Sequence, residues 1–199
     1  YTVPAERPIT FRHLFTMTAG LNYNLTSAYI QDISDRTGGR CPTRETIAAI
    51  AKMPLDFHPG DRFQYSLCHD VLAAAVEVMS GMRFGEYVKK NIFEPCGMVD
   101  STFIMTDSVK ARMAPQYRFN DKRGVAEQTP MSNMYILGSE YESGGAGLIS
   151  SVSDYAKFID TLACGGVTAS GKRIISEYTL GMMHQNCLSD EMLADYHKK

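Results

Sequence analysis

The chain of 199 residues has no tryptophan, no excess of basic charge and no long apolar run. Each absence removes a class of function. The net charge is −2, so there is no electrostatic footprint for nucleic acid and no polybasic patch for a membrane. No apolar stretch approaches the ~18 residues that span a bilayer. The opening residues Y-T-V-P-A-E-R-P lack the basic start and apolar centre of a signal peptide, and no initiator Met precedes them. They read as a piece cut from a longer chain.

Cysteines are present but unpatterned. Cys41, Cys68, Cys96, Cys164 and Cys187 are odd in number and never form C-x-x-C, which excludes zinc ribbons and thioredoxin-like redox motifs. Unpaired thiols lean towards the cytoplasm, whereas a signal upstream of Tyr1 would mean export. The five histidines (His13, His58, His69, His184, His197) show none of the zinc spacings, so no metal and no cofactor are expected. Gly166-x-x-x-x-Gly171-Lys172 nearly spells a phosphate loop, but Arg173 stands where the magnesium-binding hydroxyl belongs. Glu140, Glu142 and Asp154 flank a glycine-rich loop and read as solvated loop and cap residues.

What is there is mostly helical punctuation. Thr10 is placed to cap a short helix with Phe11, Leu14 and Phe15 turned inward and Gly20 as its stop. Ala28 to Asp35 reads as a helical turn or two, broken by Gly38-Gly39. Thr43 is expected to cap a helix to Met53, ended by Pro54. Pro59-Gly60 marks a turn, and Ser66 is expected to cap a helix whose face is Val71, Leu72, Ala75, Val76 and Met79, ending at Gly81. Phe84, Tyr87, Val88, Asn91 and Ile92 form the face of a second helix, closed by Pro95 and Gly97. Tyr65 stands at the mouth of the Ser66 helix, where the positive end of the helix dipole favours a phenolate.

Further on, Ser101–Ile104 reads as a short strand. Gln116–Phe119 and Gly124–Gln128 flank the N-D-K-R-G cluster and predict a hairpin. The segment Ser143-Gly144-Gly145-Ala146-Gly147 is a glycine-rich loop. After it, Ser151 or Ser153 caps a helix with Tyr155, Ala156, Phe158, Ile159 and Leu162 on one face, and Ser151-x-x-Asp154 resembles a capping box. A short helix from Ile174 to about His184 and a marginal one in the tail complete the chain.

Three blocks together resemble the serine β-lactamase-like superfamily of class C β-lactamases, D-alanyl-D-alanine carboxypeptidases and related esterases. They are P-I-T-F-R-H-L-F-T-M-T-A-G-L at 8–21; P-G-D-R-F-Q-Y-S-L through S-G-M-R-F-G-E-Y-V-K-K-N-I-F-E-P-C-G-M to D-S-T-F at 59–103; and G-G-A-G-L-I-S-S-V-S-D-Y-A-K-F-I at 144–159. The resemblance implies acyl transfer through a Ser of an S-x-x-K motif. Proton handling falls to the Lys and to a Tyr of Y-x-N, and a late K-T-G or H-x-G strand completes the oxyanion site. Tyr65 matches that Tyr. The Asn of Y-x-N is Leu67, which cannot hydrogen-bond a substrate amide and tilts the reading towards an ester. The family's His in the first block is Met17. No S-x-x-K or K-T-G occurs in these residues, and no H-x-G follows the third block.

The resemblance therefore implies an α+β, predominantly α chain. Residues 1–199 would be one central helical lobe of a β-lactamase-like fold, with a small β-hairpin and the main sheet mostly missing. Tyr65 is its catalytic candidate, and Ser66, Leu67, Ser143, Gly144 and Gly145 are substrate-binding candidates. The parent would act on a small-molecule ester or amide; the lobe alone would be inactive. The alternative is a non-catalytic, penicillin-binding-protein-like binding or sensor domain. No nucleic acid or membrane partner is implied.

Overall fold

The computed structural model describes residues 1–130 and 133–196. His197 and the last residues of the expected tail helix lie outside the described residues.

Most of the separate helices start where a hydroxyl can satisfy their free N–H groups. In α1 (Phe11–Phe15), the Thr10 hydroxyl accepts from His13 N–H while His13 Nδ1 accepts from Thr10 N–H, a reciprocal cap. Ser27 caps α2 (Ala28–Thr37), which ends on left-handed Gly38. One exception is α3 (Thr43–Ile50). Pro42 stands at its N-cap, and the Thr43 hydroxyl instead accepts the N–H of Glu142 at 2.8 Å. The expected cap thus ties α3 to the glycine-rich loop. Another is α4 (Cys68–Ser80), whose N-cap is Leu67 with no side-chain bond, and Gly81 stops it as expected. Ser66 is not the cap. Its hydroxyl is buried against Cys68 Sγ at 3.1 Å and Met17 Sδ at 3.9 Å.

The second expected helix is continuous but changes pitch. It runs as α5 (Phe84–Val88), a π-helical segment Lys89–Phe93 and α6 (Glu94–Cys96), closed by left-handed Gly97. After α7 (Asp107–Arg112) comes the hairpin, β1 (Gln116–Asn120) antiparallel to β2 (Val125–Thr129), with Phe119 opposite Ala126. The expected strand at 101–104 reduces to one antiparallel bridge, Thr102 to Ile149. α8 (Val152–Ala163), α9 (Glu177–Met183) and α10 (Asp190–Tyr196) follow.

The core lies around α4. Leu14, Met17, Ala19, Leu21 and Cys68 pack on one side of it, and Ile30, Ile47, Ile50, Leu67 and Ala74 on another. A separate aromatic cluster, Phe93, Met98 and Phe103, joins the π segment to the chain before α7 and receives Phe158 of α8. Two expected inward faces point outward. Phe11 and Phe15 are exposed, because α1 has barely one turn and buries only Leu14. On α8, Tyr155 and Ile159 are exposed while Asp154 and Thr161 are buried. The periodicity located that helix correctly, but of its apolar face Phe158 packs on the Phe93 cluster while Tyr155, Ala156 and Ile159 stay exposed.

Asp154 also modifies the expected capping box. The Ser151 hydroxyl accepts from Asp154 N–H, as a cap does, but the Asp154 carboxylate turns inward to Asp100 N–H at 2.6 Å, Ser101 Oγ at 3.0 Å and Lys157 Nζ at 3.1 Å. Burial alone would raise this carboxyl; the donors overcome that and hold it below the usual carboxylate range. A lowered carboxyl contributes stability that is present above its unfolded value and lost as pH falls through its folded one. Asp154→Asn should cost about 1–3 kcal/mol at neutral pH. The gap to wild type should close below about pH 3.9. Urea unfolding at a series of pH values measures both.

Candidate functional site

Tyr65 leaves the body of the fold at a segment held from behind by backbone. Gly60 N–H donates to Thr18 O at 2.7 Å and Gln64 N–H to Met17 O at 2.9 Å. The Gln64 amide donates to Leu21 O at 3.1 Å and to Asp56 Oδ2 at 2.5 Å. Met17 adopts a left-handed φ of 56° to present that carbonyl. These bonds join the first two family-like blocks, so the M-T-A-G-L turn is the bracket on which Tyr65 is mounted.

Of Tyr65, Ser66 and Leu67, only Tyr65 reaches solvent, at 63% exposure. Leu67 is 2% exposed and packs against Ile30, Ile47, Ile50 and Ala74. Ser66 is equally enclosed. Neither side chain lies on the surface that carries the Tyr65 ring. The structure adds a residue that sequence reasoning passed over: the Tyr23 ring lies 5.4 Å from that of Tyr65 and 5.4 Å from that of Tyr135. Burial, reinforced by Tyr65 and Asp70, pushes the Tyr23 phenol well up.

The glycine-rich loop lies directly on the first turns of α4. A Cβ on Gly144 would stand 2.4 Å from the His69 carbonyl oxygen and 2.9 Å from Ala73 Cβ. A Cβ on Gly145 would stand 2.9 Å from Asp70 Oδ2 and 3.7 Å from the Tyr23 hydroxyl. Ser143 is buried, and its hydroxyl accepts from Ala146 N–H at 3.0 Å. Glu142 is buried too, taking Gly85 N–H at 2.7 Å and Arg83 at 3.2 Å. Tyr141 donates to Asp70 Oδ1 at 2.9 Å, with both side chains 1% exposed. Tyr65, Gly144 and Gly145 are thus brought to one neighbourhood, whereas Ser143 is buried under the loop, with its hydroxyl engaged by Ala146 N–H and Asp70.

Tyr141 and Asp70 were not legible as site residues. Asp70 reads as an ordinary acid in a helix's first turn, and Tyr141 as one aromatic in a loop.

Two large grooves are present. One of about 840 Å³ runs between α3 and α4, from Pro42 to Glu140, and is lined by neither Tyr65 nor the glycines. The other, of about 800 Å³, is lined by Met105, Met113, Tyr135, Ile136, Leu148 and neighbours, with no charged residue among them. Tyr135 connects this second groove to Tyr23 and Tyr65. Chemically, an exposed phenol can carry a proton; Tyr65 itself does not line this groove and meets it only through Tyr23 and Tyr135. It has no nucleophile and base paired with it among the described residues, and no group of three metal-binding side chains occurs among them.

Comparison with known proteins identifies this arrangement. The Beta-lactamase family model matches residues 1–194. The chain belongs to the beta-lactamase family. It is 29% identical over 194 residues to protein Rv1367c of Mycobacterium tuberculosis, covering 96% of this chain and 47% of that one. It is 30% identical over 178 residues to esterase EstB of Burkholderia gladioli, covering 79% and 45%. Among solved structures, simvastatin synthase LovD from Aspergillus terreus superposes with a TM-score of 0.74 at 23% identity, over 98% of this chain and 46% of that chain. The helical architecture with one small hairpin is therefore a mainly helical portion of a beta-lactamase-like fold. The chain spans about half the length of the curated relatives it matches.

Two expectations test this site. Gly144→Ala must displace backbone and should cost about 1–3 kcal/mol. Gly181→Ala, in α9 with open space at its Cβ, should be neutral or stabilise by about 0.4–1 kcal/mol. Thermal unfolding of the two variants separates them. Asp70 gives a pH signature. Burial pushes its carboxyl up, and the Ser143 and Tyr141 hydroxyls only partly offset this. A raised carboxyl contributes stability below its unfolded value that is lost as pH rises through the folded one. Wild type should therefore lose stability relative to Asp70→Asn as pH climbs above about 3.9, and paired urea titrations read that difference.

Proposed function

We propose that residues 1–199 form the Tyr65-bearing lobe of a serine hydrolase that works through an acyl-enzyme on a neutral small-molecule ester. The observation that carries this reading is the exposed, backbone-mounted Tyr65 phenol, linked through Tyr23 and Tyr135 to a groove with no charged lining. In the family pattern, the Tyr at this position shares proton transfer with the Lys of S-x-x-K. As a phenolate it would take the serine proton on attack, and as a phenol return it to the leaving group. An uncharged groove suits a neutral acyl or alcohol group better than a peptide ending in a carboxylate. The relationship to esterase EstB supports the same direction.

These residues hold no S-x-x-K, so the lobe supplies the proton carrier and one wall, while the nucleophile comes from elsewhere in the parent. The exposed Tyr155 and Ile159 of α8 fit this division, since they offer the remainder of the fold a surface to pack on.

The test is fluorophosphonate labelling of the protein encoded by the whole gene, with Tyr65→Phe beside wild type. Labelling of a Ser in an upstream S-x-x-K is expected in wild type. Tyr65→Phe should lower the acylation rate by about 10²–10⁴-fold. The 199-residue chain should remain unlabelled. Equal acylation in Tyr65→Phe refutes the proton-transfer role. A parent without S-x-x-K that takes no label would favour a binding or sensor domain instead.

A further inference from the structure

The role given to Tyr65 leaves the buried acid Asp70 without a function. Asp70 is 1% exposed, in the first turn of α4. Its hydrogen-bonding side chains are hydroxyls, those of Tyr141 and Ser143, and the cationic influence on it is that of the neighbouring His69. A carboxylate withdrawn from water on those terms is poor material for a core, where an apolar side chain of similar size serves better. Its gain is geometric. It accepts from residues 141 and 143, immediately before the glycines, and Gly145 fits over its other oxygen. The Tyr23 hydroxyl reaches the same point from the opposite side, 3.7 Å from where a Gly145 Cβ would be, and the Tyr23 ring then meets Tyr65.

We propose, resting on the reading of Tyr65 as proton carrier, that Asp70 and Tyr23 are positioning residues for it. Asp70 clamps the glycine-rich loop onto α4. Tyr23, seated between that loop and Tyr65, transmits the loop's position to the Tyr65 ring. Neither touches the reacting atoms. The clamp explains why Gly145 carries no side chain. It also explains why Tyr141 is buried with its hydroxyl turned to an acid rather than to water.

The readout is a cross-peak between the Tyr23 and Tyr65 rings in the 199-residue chain carrying ring-¹³C tyrosine. Tyr23→Phe and Tyr65→Phe assign the signals. In Asp70→Asn, and in Tyr141→Phe, which removes a single hydroxyl, we expect this cross-peak to be lost and the Gly144 and Gly145 amides to shift while the helical circular dichroism is retained. Asp154→Asn, a buried acid in another part of the fold, should leave both signals in place. An unchanged cross-peak in folded Asp70→Asn or folded Tyr141→Phe overturns the proposal. If Asp70→Asn does not fold, Tyr141→Phe decides. In the full-length protein, Asp70→Asn should lower kcat by about ten- to a hundred-fold with KM unchanged, as a misplaced proton carrier does. Equal acylation in Tyr65→Phe would remove the proton-carrier reading alone, since the ring cross-peak still judges the clamp.

Discussion

Tyr65 is placed by main-chain pairing between two segments more than 40 residues apart. The carbonyls of Met17 and Thr18 receive the N–H groups of Gln64 and Gly60. For that the turn after α1 must expose two carbonyls in succession, which it does by putting Met17 into the left-handed region. A non-glycine residue there is strained, and such strain persists only where surroundings over-determine it. Here they do: Met17 is buried in the cluster with Leu14, Ala19, Leu21 and Cys68, and its sulfur meets the Ser66 hydroxyl. The core on this side of α4 thus fixes the turn, the turn fixes the segment 60–64, and the segment leads Tyr65 outward. A side chain anchored this way has a rigid root, and its ring meets that of Tyr23.

What could be read from sequence follows from how local each determinant is. Glycine stops at Gly38, Gly81 and Gly97 and hydroxyl caps at Thr10 and Ser151 act within one turn, so helix positions were legible. The hairpin was legible for the same reason, because N-D-K-R-G sets its turn. Tertiary use of the same residue types was not. Thr43 and Ser66 look like caps, yet one hydroxyl serves the Glu142 N–H and the other two sulfur atoms. The apolar stripe of α8 has the right period but is only partly covered, by Phe158 on the Phe93 cluster, since periodicity reports which residues share a face and not what lies opposite. Tyr65 was legible only through the Y-S-L block and its companions. Tyr23, Asp70 and Tyr141 come together from 118 residues of chain, and nothing in their local sequence marks them.

The position of Leu67 changes the meaning of its departure from the family pattern. As a sequence feature, Leu in place of Asn reads as the loss of a hydrogen-bonding group from the substrate site. In the structure Leu67 is a core residue at the N-cap of α4, among three isoleucines. An Asn amide in that environment would leave polar atoms buried without partners, which costs more than the apolar contact it replaces. The substitution is thus consistent with a helix start repacked towards the core.

A repacked helix start shifts the burden of substrate recognition elsewhere. With Leu67 and Ser66 withdrawn, the groups left facing the Tyr65 surface are the Tyr23 and Tyr135 rings, the glycine backbone and the methionine-lined groove beyond them. Rings and thioethers hold a ligand by area and shape rather than by directed hydrogen bonds, and methionine adapts to irregular shapes. Such a wall discriminates weakly between apolar groups of similar size, because one methylene is worth only about 1–3 kcal/mol in a hydrophobic pocket. It excludes charged groups more firmly, since no lining residue offers a countercharge. On the proposed reading, this half of the fold would select by rejecting charge, and any finer choice among neutral esters would fall to groups that meet this wall from the other side.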